Sequence, residues 1–190
     1  PHGLLRLPTG KMSSRKGNVI TTAELIQSVI ELAQEKNEDP IVAEQVAIGA
    51  VKYMILRQAP GGDIIFDPEK SLSLDGDSGP YLQYALVRAK SVLAQADMKP
   101  SGADAPESPY LLERLISRFP EVVARAEAEH APHHITQYLT QLAGEWNSFY
   151  AQERIRGGEH EAYKLLVAEA FVMTMTNGLT LLGIPTPEKM

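Results

Sequence analysis

Apolar residues recur at three- and four-residue steps through most of the chain, the period of helices that bury one side. Leu25, Ile26, Val29, Ile30 and Leu32-Ala33 outline the first helix, with Thr21 or Thr22 placed to cap it and Glu24 in its opening turn. Lys36-Asn37-Glu38-Asp39-Pro40 ends that helix and begins another, since Pro40 suits a first helical position. The second covers residues 41–59, with Val42, Val46, Ala50, Tyr53 and Met54 along one side, and Pro60-Gly61-Gly62 breaks it. Asp63-Ile64-Ile65-Phe66-Asp67 is a short apolar run between turn signals and predicts an extended segment. After a loop from Ser71 to Gly79, Pro80 opens a helix that runs to about Ala96. Residues 97–109, rich in Pro, Ser, Gly and Ala, read as a flexible surface linker. Four more helical patterns follow, at 110–118, 120–130, 133–155 and 159–182. One long seam carries Leu139, Leu142, Ala143, Trp146, Phe149 and Tyr150; the other carries Tyr163, Leu166, Val167, Ala170, Phe171, Thr174 and Leu181. Gly157-Gly158 lies between them and suits an antiparallel pair. The expected fold is mainly α, a helical bundle.

Composition narrows the class. A chain of 190 residues holds one domain with a real core, or one domain and part of another. No uncharged apolar run approaches the ~18 residues of a membrane span, so no membrane partner is expected. Cysteine is absent, which rules out disulfides and thiolate metal sites and fits a cytoplasmic setting. The net charge of -6 argues against a non-specific nucleic-acid coat, so any RNA contact must be local. His130, His133 and His134 sit beside Glu129, but Pro132 intervenes and no fourth ligand follows; a solvated corner is expected there and no metal. Pro1 is not an initiator methionine, and the chain reads as a piece of something longer.

Against that acidic background, the first twenty residues carry Arg6, Lys11, Arg15 and Lys16 and no acid. Gly10-Lys11-Met12-Ser13-Ser14-Arg15-Lys16-Gly17-Asn18 is a glycine-bounded cationic stretch with hydroxyl donors, the composition of a polyphosphate-holding loop. It is not a P-loop, because Leu5 and Met12 stand where that motif needs a glycine and a Ser or Thr. Lys11-Met12-Ser13-Ser14 resembles the KMSKS signature loop of class I aminoacyl-tRNA synthetases. The longer string LPTGKMSSRKGNVIT is similar to the form found in arginyl-tRNA synthetases.

A second informative stretch is GPYLQYALVRAKSVL. Tyr81, Tyr84 and Arg88 fall at i, i+3 and i+7 and so share one helix face. Two phenol rings and a guanidinium there can stack unpaired bases and grip phosphate; an aromatic core stripe with Arg88 reaching past it is the alternative. The string resembles the first helix of the anticodon-binding domain of arginyl-tRNA synthetases, which implies that these three residues bind tRNA. Residues 110–190 resemble the helical DALR anticodon-binding domain, including an ending of Leu-Gly, a proline and Met190, although the DALR tetrad is not present as letters. The resemblance makes Met190 a further candidate contact. Trp146, Tyr150 and Arg154 share a helix face and are weaker candidates, with interhelical packing as the competing role.

The resemblance covers essentially the whole chain and implies an arginine–tRNA ligase. Residues 1–75 would be the end of a class I catalytic domain, and residues 76–190 the anticodon-binding bundle. The partners implied are tRNA-Arg, arginine, and ATP with Mg2+ as substrate in the full-length enzyme, none of them small-molecule ligands of this piece alone. Lys11 is the first choice for the cation that meets the departing pyrophosphate. Ser14 stands in place of the signature's second lysine, so Lys16 and Arg15 are the compensating cations, with Met12, Ser13 and Ser14 against the nucleotide. No HIGH motif or nucleotide-binding half lies in residues 1–190, so these residues alone are not expected to aminoacylate. A stand-alone tRNA-binding module without catalysis is the alternative, in which residues 1–20 only grip RNA.

Overall fold

The computed structural model describes residues 3–6, 8 and 21–190. A helix from Thr22 to Gln34 (α1) is set by a reciprocal cap: Thr21 Oγ1 accepts from the Glu24 amide at 3.2 Å, and Glu24 Oε2 accepts from the Thr21 amide at 2.7 Å. It packs on α2, Pro40–Leu56, which starts at Asp39, whose carboxylate accepts from the Ile41 amide at 3.1 Å. The extended segment at 63–67 contains a two-residue strand, Ile64–Ile65 (β2), paired in parallel with Leu5–Arg6 (β1). Arg6 and Asp63 form an ion pair beside it. Periodicity offered no sign of β1, because two residues carry no period. The same holds for a one-turn helix at Pro68–Ser71 (α3).

The central element is α4, Gly79–Ala94. Ser78 caps it by accepting from the Tyr81 amide at 3.1 Å, while its hydroxyl donates to the Ser73 carbonyl. Leu82, Ala85, Leu86 and Ala89 of α4 are wholly buried. Around it lie α2 and two long helices, α7 (His133–Gln152) and α8 (Glu161–Leu181). The shorter α5 (Leu111–Ser117) and α6 (Phe119–Ala128) pack on α7, and α5 also reaches α8. Between α4 and α5 the exposed 97–109 stretch is tethered at Ser101, whose amide donates to the Ala162 carbonyl at 3.0 Å. One continuous apolar core runs from Leu25 to Ile184.

The seam expected on α7 is buried from Leu139 through Phe149, with Tyr150 half-buried at its edge. On α8 the expected seam holds in part, with Val167, Phe171 and Thr174 buried, but the inward face is broader. Leu165, Ala168, Phe171, Met175 and Leu179 are fully buried, whereas Leu181 is 57% exposed and Leu166 and Ala170 are half-buried. That helix packs against α4, α5 and α7 and is apolar nearly all round, so spacing alone does not select a face.

Candidate nucleic-acid interface

Two stripes that are far apart in sequence meet where α4 crosses α7. Tyr81 is half-buried there, its hydroxyl accepting from Asn147 Nδ2 at 3.1 Å. Tyr84, three residues on, is 39% exposed. One turn further the guanidinium of Arg88 lies 4.0 Å above the centre of the Tyr150 ring. A cation over a phenol face is attracted by the ring quadrupole, by about 0.5–2 kcal/mol. The pairing also fixes two long side chains that would otherwise lose rotamer freedom on meeting a ligand.

Beyond that pair, Arg88, Ser91, Gln95, Tyr150, Arg154 and Arg156 line a cleft of about 380 Å³. Arg156 Nη1 donates to Gln95 Oε1 at 2.8 Å, joining the loop after α7 to the end of α4. Glu153 also borders the cleft, but its carboxylate meets the buried Lys164 ammonium at 2.7 Å. Three guanidiniums therefore face one opening with the nearby acid already offset, which favours an anionic, planar ligand. Asn147, Gln95 and Arg156 are participants that sequence reading missed. Arg156 lies just past the 133–155 stretch read as helix; the helix in fact ends at Gln152, and the chain's turn after it brings Arg156 round to Gln95.

Trp146 belongs elsewhere. It was expected among the RNA contacts, but it is fully buried and stacked on Phe171, ring centres 4.7 Å apart. With Leu139, Leu142 and Ala143 it forms the i, i+3, i+4, i+7 stripe that α7 turns toward α8, so packing claims it. Met190 is 36% exposed, at the end of a stretch held against α2 and α4 by Lys189–Asp39 at 2.9 Å and Lys90–Glu188 at 2.6 Å. Lys11, Met12, Ser13, Ser14, Arg15 and Lys16 lie outside the described residues.

The histidines form a separate corner. Glu129 takes hydrogen bonds from Arg125 Nε at 2.9 Å and engages His134 Nε2 at 2.6 Å, which together hold its carboxyl below the usual range. Burial, then the neighbouring His134, pushes His133 down. Among the described residues no group of three or more His, Cys, Asp or Glu is placed to hold a metal. No helix among them is long and apolar enough to cross a membrane.

Residues 82–190 match the family model described as the DALR anticodon binding domain, and the chain belongs to that family. Over its whole length it is similar to arginine–tRNA ligases and corresponds to their C-terminal portion. It is 34% identical to that of Halothermothrix orenii, of which it covers 36%, and 35% identical to that of Halobacterium salinarum, of which it covers 32%. Among solved structures, Thermus thermophilus arginyl-tRNA synthetase matches all of this chain with a TM-score of 0.85 and 32% identity, over 35% of its own length. Plasmodium falciparum arginyl-tRNA synthetase shares the fold, with a TM-score of 0.83 at 20% identity. The chain spans about a third of the length of the curated relatives it matches.

Proposed function

We propose that this chain works as the C-terminal part of a cytoplasmic arginine–tRNA ligase and that the α4–α7 face reads the anticodon of tRNA-Arg. The observation that carries this reading is the convergence of exposed Tyr84, the Arg88–Tyr150 pair and the arginine-lined cleft within the family's anticodon-binding region. Unpaired bases stack on phenol and guanidinium planes, and the cationic rim receives the backbone. Tyr81, tied to Asn147, holds the inner edge of the face, and Met190, at the end of the stretch paired with Lys90 and Asp39, is a further contact.

In the whole ligase the arginine carboxylate attacks the α-phosphate of ATP, which arrives with Mg2+, giving arginyl-adenylate and pyrophosphate. The terminal adenosine of tRNA-Arg then takes the arginyl group through a ribose hydroxyl, releasing AMP. Residues 1–75 join this chain to the catalytic part, and residues 76–190 are the anticodon-binding bundle. The sequence of the signature loop supports Lys11 as the cation that meets charge growing on the leaving pyrophosphate, with Lys16 and Arg15 beside it. Met12, Ser13 and Ser14 line the nucleotide. One such preorganised charge is worth roughly 3–4 kcal/mol in the transition state.

The test is binding of tRNA-Arg to Tyr84→Ala and Tyr150→Ala variants. Weakened binding with an unchanged melting temperature for Tyr84→Ala supports the reading. Undiminished affinity in both variants would remove the α4–α7 face from recognition.

A further inference from the structure

Gln83 is the one large polar side chain that α4 buries completely. Its Nε2 donates to two backbone carbonyls, Gln45 at 3.0 Å and Pro185 at 2.8 Å, so one amide joins α4 to α2 and to the stretch after α8. Both partners are acceptors, which fixes the orientation of the amide. Room for it is made by Gly49, where an added Cβ would lie 2.7 Å from the amide. Apolar residues would fill this space without leaving an orphaned oxygen, yet Gln83 Oε1 has no partner. A buried amide at that cost points to a need for register rather than for packing.

What is registered is residues 183–190. Lys52 donates to the Gly183 carbonyl, Gln83 to Pro185, Lys90 pairs with Glu188, and Lys189 with Asp39. From Lys52 back to Asp39 is about 20 Å of helix at 1.5 Å per residue. Six residues from Gly183 to Lys189, fully extended, span about the same. These four contacts run the segment along the α2–α4 seam, antiparallel to α2.

Its position relative to the proposed RNA face follows from the helix period. On α4 Tyr81 and Arg88 point toward α7, while Gln83 and Lys90 point roughly 140–180° away, toward that segment. Tyr84 and Ser91 fall between these two directions and are exposed. Thus the outer stripe of α4 is bordered on one side by α7, with Tyr150 and Arg154, and on the other by residues 183–190.

We propose that Gln83 is a positioning residue for recognition at the α4 face: its amide sets residues 183–190 as the wall that borders Tyr84 and Ser91. The proposal rests on the anticodon-binding reading given above. Gln83 touches no RNA; it acts through the segment that its amide holds.

The test compares Gln83→Leu, which cannot donate, with a surface double variant, Glu188→Gln and Lys189→Gln, which loosens the same wall without touching the core. Methyl NMR of Met190 reports the wall, and Met175, wholly buried in α8, reports the core. Affinity is measured for tRNA-Arg with its anticodon intact or replaced. In both variants the Met190 resonance is expected to move and narrow while Met175 stays in place. The preference for the intact anticodon should fall about tenfold in Gln83→Leu and less in the double variant. If Gln83→Leu fails to fold, Gln83→Met, close to glutamine in length and equally unable to donate, takes its place and the same readouts decide. An unmoved Met190 resonance, or a preference kept in full, would overturn the proposal. Absence of any anticodon preference in the unmodified chain is a different result and sinks the anticodon reading itself.

Discussion

Tyr84 and Trp146 make opposite demands on the same kind of atoms. Tyr84 is exposed on α4, so Tyr84→Ala is expected to leave thermal stability within about 0.5 kcal/mol. Its tRNA affinity should nevertheless drop by roughly 1–3 kcal/mol, the worth of one base stacked on an aromatic ring. Trp146→Ala should do the reverse, costing about 3–5 kcal/mol of stability through the cavity left against Phe171. Urea melts alongside filter binding separate the two. Equal loss of affinity per unit of stability in both variants would mean that neither ring touches RNA. Tyr138 gives a third residue-scale expectation. Its hydroxyl donates to the Leu115 carbonyl at 2.9 Å, and burial pushes its pKa up to about 12. A raised pKa means that its contribution is complete below the ordinary tyrosine value near 10 and disappears as pH rises toward 12. Stability should fall across that alkaline window, and Tyr138→Phe should flatten the fall.

Helix ends and close crossings govern the element scale. Asp39 caps α2 and also receives Lys189, whose hydrogen bond is the main cause holding its carboxyl below the usual range. A lowered pKa stabilises above the unfolded value and is lost as pH falls through the folded one, so this link weakens in acid. Asp39→Asn keeps an amide oxygen for the cap but drops the pairing, and should shrink the acid dependence of the melting temperature. At the α2–α4 crossing, a Cβ on Gly79 would sit 2.2 Å from the Gly49 carbonyl, whereas one on Gly49 would meet only the Gln83 side chain. Gly79→Ala should therefore destabilise more than Gly49→Ala, because a side chain can shift and a backbone cannot. These crossings also mark what the sequence could and could not convey. The cap at Thr21, the prolines in the first turns of α2 and α4 and the breaks at 60–62 and 157–158 were legible because each is local chemistry. The inward face of α8 was legible only in part, since apolar Met173 and Leu181 stand on its exposed side and blur the contrast that marks orientation. Nor was the hold of Gln83 on Pro185, which joins residues 102 positions apart. The Tyr81, Tyr84 and Arg88 stripe was legible as a stripe; only the packed structure brings Tyr150 over to meet Arg88.

At the scale of the whole molecule, a chain of net charge -6 gathers three guanidiniums, Arg88, Arg154 and Arg156, at one cleft beside an aromatic stripe. Long-range attraction for RNA is thereby kept weak, and recognition depends on a short loop of bases fitting that face. One continuous core ties α1 and α2, the helices that follow the signature-like stretch, to the same bundle that carries the proposed reading face. The most direct measurement is binding of the chain to tRNA-Arg with its anticodon intact or replaced, across a salt series. Anticodon-reading by the α4–α7 face predicts that the intact anticodon binds more tightly at every salt concentration, with a shallow salt slope set by few phosphates. Equal affinity for both RNAs, falling steeply and in parallel with salt, would contradict it and leave only charge as the basis of contact.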